Sequence, residues 1–238
     1  MLIEQTKLKY ELNNRIPCHK HVCGLNFVCG MPLKNGKGKL VISRGSVVDF
    51  SPPNQSKSAI VNAANESCLG GGGVDGAISS AGGSNLARDR RNLPIENHYG
   101  VSVRCPTGQA RMTGPNKYAR LKVKYVIHAV GPNYHKYQSS QDAVAYADSM
   151  LLSAYTMSLD LAKQAKLEYV AFSLLSAGIF SGRQKKRRLL EMAVWSILNY
   201  DLYDEIKEIH ICAYMDTEAE MLQDVVSAIA EGKENLLC

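Results

Sequence analysis

From about residue 39 onward, apolar and polar positions fall into two alternating patterns. Five short runs, KLVISRG (39–45), SAIVNAA (58–64), KYVIHAV (124–130), EYVAFSLL (168–175) and EIHICAY (208–214), are rich in β-branched or aromatic residues and bounded by turn formers. Such runs predict buried strands. Segments 143–165, 186–200 and 217–232 instead repeat apolar side chains three and four positions apart, the spacing of helices with one buried face. The last opens with Thr217 and Glu220 in capping-box spacing. Alternating strands and helices predict an α/β fold, a mainly parallel sheet with helices on both faces. Ligands in such folds sit beyond the carboxyl ends of the strands. Residues 1–38 are polar and mixed, end in Gly/Lys-rich NGKGK, and read as an N-terminal extension to a domain spanning 39–238. Residues 84–120 carry many turn formers and no clear period.

Composition narrows the class. A chain of 238 residues, 45% hydrophobic and 21% charged, is long enough to bury a core without disulfides or metal. Seven cysteines, an odd number at irregular spacings, argue against a secreted disulfide framework and for a reducing compartment. The N-terminus has no apolar stretch of secretory type, and no run reaches the roughly 18 apolar residues of a membrane span. The expectation is a soluble monomer of the cytoplasm or nucleus, with no membrane partner. The net charge of +6 tilts weakly towards a phosphate-bearing partner.

Candidate chemistry centres on residues 61–78, VNAANESCLGGGGVDGAI. Gly71, Gly73 and Gly76 satisfy G-x-G-x-x-G. A dinucleotide-binding turn, however, needs its glycines directly after a strand and an acidic ribose ligand about 20 residues on. Here Asn65–Leu69 intervene, and the stretch around Asn92–Glu96 is where that acid should lie, so the context fails. A phosphate loop of Walker type fails as well, because no Lys-Ser/Thr follows the glycines. What survives is a glycine loop leading into a helix near Val74, whose backbone N–H groups and positive dipole end suit a phosphate or a sugar pressed onto the backbone.

The motifs VNAAN (61–65), GGGGVDGAI (70–78), CPTGQARMTG (105–114), YVIHAVGPNY (125–134) and LLSAGIF (174–180) resemble, individually and in order, those of the macrodomain family. The resemblance is closest to its MacroD-type branch, whose members remove ADP-ribose from modified proteins and deacetylate O-acetyl-ADP-ribose. It implies a three-layer α/β/α sandwich with a mixed, mainly parallel sheet. It also implies that Gly71, Gly72, Gly73 and Val74 wrap the distal ribose and a phosphate, with Asn65 on the ribose hydroxyls and Asn62 in the same ligand site; read from the residues alone, Asn62 structures the turn after the strand. Asp75 matches the carboxylate linked with catalysis in that branch, and its role is to orient a water for attack at the anomeric carbon. The backbone of Ser176, Ala177, Gly178, Ile179 and Phe180 matches a second phosphate loop, and Tyr214 an aromatic packed on adenine. No cofactor or metal is required.

Three departures bear on this. The family's Gly-Asp-Ile-Thr, whose aspartate meets the adenine amino group, here reads Gly45-Ser46-Val47-Val48, leaving Ser46 in that place and Asp49 as a shifted substitute. Ser79 stands where a histidine is usual, and the second loop continues Ser181-Gly182-Arg183 instead of Gly-aromatic-Pro. The leading expectation is hydrolysis of mono-ADP-ribose from acidic side chains of ADP-ribosylated proteins. A non-catalytic ADP-ribose reader and an ADP-ribose 1″-phosphate phosphatase are the alternatives.

Two clusters lie outside these motifs. CHKHVC places Cys18, His19, His21 and Cys23 within six residues, but one short tract does not easily close a tetrahedron, so a chance cluster outweighs a zinc site there. Lys185, Lys186, Arg187 and Arg188 read either as a solvated helix face or as an electrostatic rim for phosphates. Aromatics are too sparse nearby for sequence-specific nucleic-acid recognition.

Overall fold

The structure, a computed structural model, describes residues 21–34, 36–201 and 204–232, and for His21 and Val22 the backbone only. The five apolar runs form parallel strands: β3 (Lys39–Arg44), β4 (Ser58–Ala63), β8 (Tyr125–Ala129), β9 (Tyr169–Ser173) and β10 (Glu208–Ala213). Their order across the sheet is β3-β10-β9-β4-β8. The antiparallel strand β7 (Ala110–Thr113) extends the sheet on the β8 side. On the other side lie β2 (Leu25–Pro32) and the two-residue β1 (His21–Val22), each antiparallel to its neighbour. A separate hairpin pairs β5 (Glu96–His98) with β6 (Val101–Val103).

Helices α2 (Gln141–Gln164), α3 (Lys186–Asn199) and α4 (Asp216–Ala230) cover one face, burying residues such as Leu151, Met192 and Leu222 against β3, β4, β9 and β10. Helix α1 (Gly73–Arg91), with Tyr118, Leu121 and Val123, covers the other. The result is a three-layer α/β/α sandwich with a mixed, mainly parallel sheet. Helix α4 starts one residue before Thr217, and Glu218 rather than Glu220 accepts the backbone N–H groups of Tyr214 and Met215, both at 3.2 Å.

Residues 25–32, read from the sequence as part of an extension, are instead a strand of the main sheet, and Leu25 is buried in the core. Their pattern is faint for a physical reason. The strand is flanked by the short β1, carries a bulge between Phe27 and Cys29, and contains Gly30 and Pro32, all of which blur a period of two. It is entered through a two-residue hairpin whose central residues, Cys23 (φ 51°) and Gly24 (φ 79°), both adopt positive φ. That combination is usually announced by Asn-Gly, so Cys-Gly hides it.

At the start of β9, Glu168 joins three segments: its carboxylate takes Lys207 at 2.8 Å, Lys57 at 3.2 Å and Asn54 at 3.3 Å. The Lys207 hydrogen bond, working against burial and aided by Lys57 and Asn54, holds its pKa below the ordinary 4.5. Because the folded value is depressed, this stabilisation is full above the unfolded pKa and fades as pH falls through the folded one. Glu168→Gln is therefore expected to lose stability at neutral pH and to show a shallower acid limb below 4.5, measured by urea unfolding across pH. Parallel acid limbs in the two proteins would rule the cluster out.

Candidate functional site

A cleft of about 970 Å³ opens at the carboxyl ends of β3, β10 and β9. Gly73, Val74 and Ala77 at the start of α1 line it, as do Ala177 and Gly178, beyond β9. Ser46, Val47 and Asp49 after β3, with Tyr214 after β10, close one end.

The glycine run has two jobs. Gly70 (φ 117°) and Gly73 (φ 59°) lie in the region glycine favours and turn the chain into α1. Gly71 serves packing, since a Cβ there would sit 3.2 Å from both Asn65 Nδ2 and Asp75 Oδ2. At Gly72 and Gly73 a Cβ would meet nothing within 4 Å, so their bare backbone faces open space beside the cleft. Asn65 is half-buried and ties the loop: Nδ2 donates to Gly70 O at 2.9 Å, and Oδ1 accepts from the Ser67 backbone N–H and hydroxyl. One of its two amide N–H donors is thereby engaged. Asn62 is fully buried, donating to Asp75 Oδ1 at 2.9 Å, with His128 Nδ1 3.3 Å away. Burial, with the nearby Arg90 charge, pushes the His128 pKa well below 6.5.

Asp75 is buried and held by its neighbours. Its carboxylate is only 3% exposed, is not part of the cleft lining, and points inward to Arg90 Nη2 at 2.8 Å. Arg90, 1% exposed, also donates to Ser79 Oγ at 2.7 Å, and that hydroxyl in turn donates to the Asp75 backbone carbonyl. A guanidinium with a serine thus fills the space where the resemblance led us to expect a histidine. Sequence reasoning could not see this because Arg90 lies 15 residues on, beyond the kink at Gly83 (φ 63°, ψ −158°) inside α1. In this arrangement Asp75 sits behind the glycine loop, with Oδ1 held by Asn62 and Arg90 and Oδ2 buried without a hydrogen-bond partner.

On the second loop, Ser176 is buried with φ 55°, its hydroxyl donating to Pro132 O at 2.8 Å. Ile179 is exposed, Phe180 half-buried, and the Ile179 carbonyl sits 3.1 Å from His135 Nε2. Neither side chain lines the cleft. Tyr214, by contrast, is 72% exposed at the cleft mouth, as a ring offered to a ligand must be.

The three-residue offset between Ser46 and Asp49 is absorbed by one 3-10 turn, Val47–Asp49, closed by Asp49 N–H to Ser46 O at 2.9 Å. Side chains three apart eclipse in such a turn, so both line the cleft. Sequence reasoning missed Gly24, Asn26, Arg44, Cys212 and Glu218, which line it too. Gly24 and Asn26 were hidden in the unread hairpin; the others carry no local signal.

Three of the four cations in the basic run are paired. Lys186 pairs with Glu218 at 2.8 Å, Arg187 with Glu191 at 2.8 Å, and Arg188 with Asp148 through both Nη atoms at 3.0 and 2.6 Å. Lys186 thereby ties α3 to α4 and Arg188 ties it to α2, while the Arg187 pair lies within α3. Cys68 and Cys105 are fully buried. Of the CHKHVC tract, Cys18, His19 and the His21 side chain lie outside the described residues.

A family model described as the Macro domain matches residues 61–187. The macro domain-containing protein TTE0995 of Caldanaerobacter subterraneus is 37% identical over 185 residues, which are 78% of this chain and 94% of that protein. The ADP-ribose glycohydrolase MACROD1 of Rattus norvegicus is 34% identical over 186 residues, covering 78% of this chain and 64% of the rat protein. Among solved structures, the Trypanosoma brucei macrodomain in complex with ADP-ribose superposes with a TM-score of 0.61 at 27% identity, over 79% of this chain and 68% of that one. With its glycine loop, its second loop and the cleft between them at the expected strand ends, this chain belongs to the macro domain family.

Proposed function

We propose that the cleft binds ADP-ribose and that the protein hydrolyses the bond joining ADP-ribose to an acidic side chain of a modified protein. One observation carries the reading: the α1 N-terminus and the loop after β9 line the same cleft as an exposed tyrosine, Tyr214, and an acceptor pair, Ser46 and Asp49. A dinucleotide-sized ligand fits this order. Tyr214 lies against adenine, Ser46 and Asp49 accept from its amino group, and backbone N–H groups of 176–180 and of the α1 start hold the diphosphate. Gly71, Gly72, Gly73 and Val74, with the remaining amide N–H of Asn65, take the terminal ribose. The rat relative's name, an ADP-ribose glycohydrolase, supports the hydrolytic half, and the trypanosomal complex supports the ligand. O-acetyl-ADP-ribose, an ester on the same sugar, is a second substrate of the same chemistry. We propose the cytoplasm or nucleus for this activity, in keeping with the odd number of irregularly spaced cysteines, which suits a reducing compartment.

A specific observation favours a second reading, a non-catalytic ADP-ribose reader: the Asp75 carboxylate is committed to Arg90, and Ser79 replaces a histidine. Calorimetry with free ADP-ribose, run beside release of ADP-ribose from a mono-ADP-ribosylated protein, separates the two. Binding with release is expected. Binding without release makes the protein a reader, and absence of both defeats the reading of the cleft.

A further inference from the structure

Behind the cleft, three side chains that the ligand chemistry does not use converge. Cys23 Sγ lies 3.4 Å from Glu208 Oε2, and His210 Nε2 lies 2.9 Å from the same oxygen. All three ligand atoms fall within 4.8 Å of one another. We propose that Cys23, Glu208 and His210 form a site for a borderline-soft divalent cation of the zinc class.

The geometry follows from topology. Glu208 and His210 are two residues apart on β10, so their side chains leave the same face of the sheet. Cys23 arrives 185 residues earlier in sequence, from the tight turn between β1 and β2. The positive φ of Cys23 is a conformation that a residue with a Cβ adopts rarely. The turn is held down by Ser51 N–H donating to Cys23 O at 2.7 Å, and a Cβ on Gly24 would lie 2.6 Å from Asp49 O. The thiol is therefore delivered to the strand by a turn with little freedom to place it elsewhere.

Donor chemistry suits the ion, and two donor spacings lie near those it requires. Zinc bond lengths of about 2.0–2.3 Å put neighbouring donors of a tetrahedron about 3.4–3.6 Å apart. The sulfur–oxygen distance of 3.4 Å already fits, and the nitrogen–oxygen distance of 2.9 Å needs to open by about half an ångström. A thiolate with an imidazole selects zinc over magnesium or calcium, which prefer oxygen alone. Three protein donors leave a fourth tetrahedral position to solvent.

The surrounding groups suit the same role. Ser43 Oγ lies 2.8 Å from His210 Nδ1, and a hydroxyl can accept from that nitrogen when Nε2 turns its lone pair to a metal. Lys39 binds the other carboxylate oxygen, Glu208 Oε1, at 2.9 Å, orienting it while Oε2 stays turned to Cys23 and His210. Thiolate and carboxylate together balance a divalent charge. Cys23 and Glu208 are half-buried and give an entry path, whereas His210 is fully buried. A bound ion would clip the N-terminal hairpin to β10 beside Gly24 and Asn26, which line the cleft.

The test uses the full chain, stripped with a chelator and then titrated with zinc chloride by calorimetry and with cobalt(II) by absorption. One equivalent is expected, with a sulfur-to-cobalt charge-transfer band and a zinc-dependent rise in melting temperature. Glu208→Gln and Cys23→Ser are each expected to abolish both signals, and Ser43→Ala to weaken binding by about 10- to 100-fold. Replacing Cys18, His19 and His21 together by alanine is expected to leave binding in place, which separates this site from the tract of soft residues before it. The proposal is overturned if the wild type binds no ion, if Glu208→Gln binds as the wild type does, or if the triple replacement alone removes binding. Two near-isosteric variants keep the test valid should one of them fail to fold.

Discussion

Asp75→Ala is expected to lower the free energy of unfolding by about 3–5 kcal/mol, the usual effect of removing one member of a buried ion pair. The side chains of Asp75 and Arg90 are 4% and 2% exposed, so the alanine variant strands a guanidinium that cannot lose its charge. It also removes the acceptor of Asn62 Nδ2 and the side chain against which Gly71 packs. Asp75→Asn, which keeps an oxygen for Arg90 and Asn62, should fall between wild type and alanine. Combining Asp75→Ala with Arg90→Met should recover most of the loss, since an apolar replacement of a whole buried pair is often close to neutral. Urea unfolding checks the series, and an alanine variant within about 1 kcal/mol of wild type would show that the pair is not structural. Loss of turnover in Asp75→Ala, the outcome the family resemblance implies, therefore follows from a collapsed loop as readily as from lost chemistry. The asparagine variant, assayed with its melt, tells them apart.

Tyr214→Ala is expected to weaken ADP-ribose binding by about 1–3 kcal/mol, the worth of one base stacked on an aromatic side chain. In Kd that is a loss of roughly 5-fold to roughly 150-fold. The ring is 72% exposed and makes few packing contacts, so the melting temperature should barely move. Tyr214→Trp should keep or raise affinity. An unchanged Kd for the alanine variant would place the adenine elsewhere, and the natural place to look is the wall formed by Leu25 and Val47.

The cleft was legible because its parts are contiguous in sequence. Each loop follows directly on an apolar run that reads as a buried strand, and glycines mark where backbone must stay bare. The same logic failed for residues 25–32, where a bulge, a glycine and a proline weaken the period and Cys-Gly stands in for the usual hairpin dipeptide. It left two readings of the basic run at 185–188 open, because whether a cation is free depends on carboxylates such as Asp148 and Glu218, some 30 to 40 residues away along the chain.

Single-residue roles divide along the same line. The motifs read Gly71 to Val74 and residues 176 to 180 as two ligand loops, and the structure brings Gly73, Val74, Ala177 and Gly178 from them to one cleft. They could not reveal that Asn62 and Arg90 hold the Asp75 carboxylate, or that a single 3-10 turn brings Asp49 beside Ser46.

By itself, then, the sequence determined the five parallel strands, the three helices α2, α3 and α4 and the two loops, since each depends on the period and chemistry of neighbouring residues. Only the tertiary structure decided which charges are buried together, which acid reaches the cleft, and that Cys23 meets Glu208 and His210. Those outcomes depend on which distant segments pack side by side, and no local pattern carries that information.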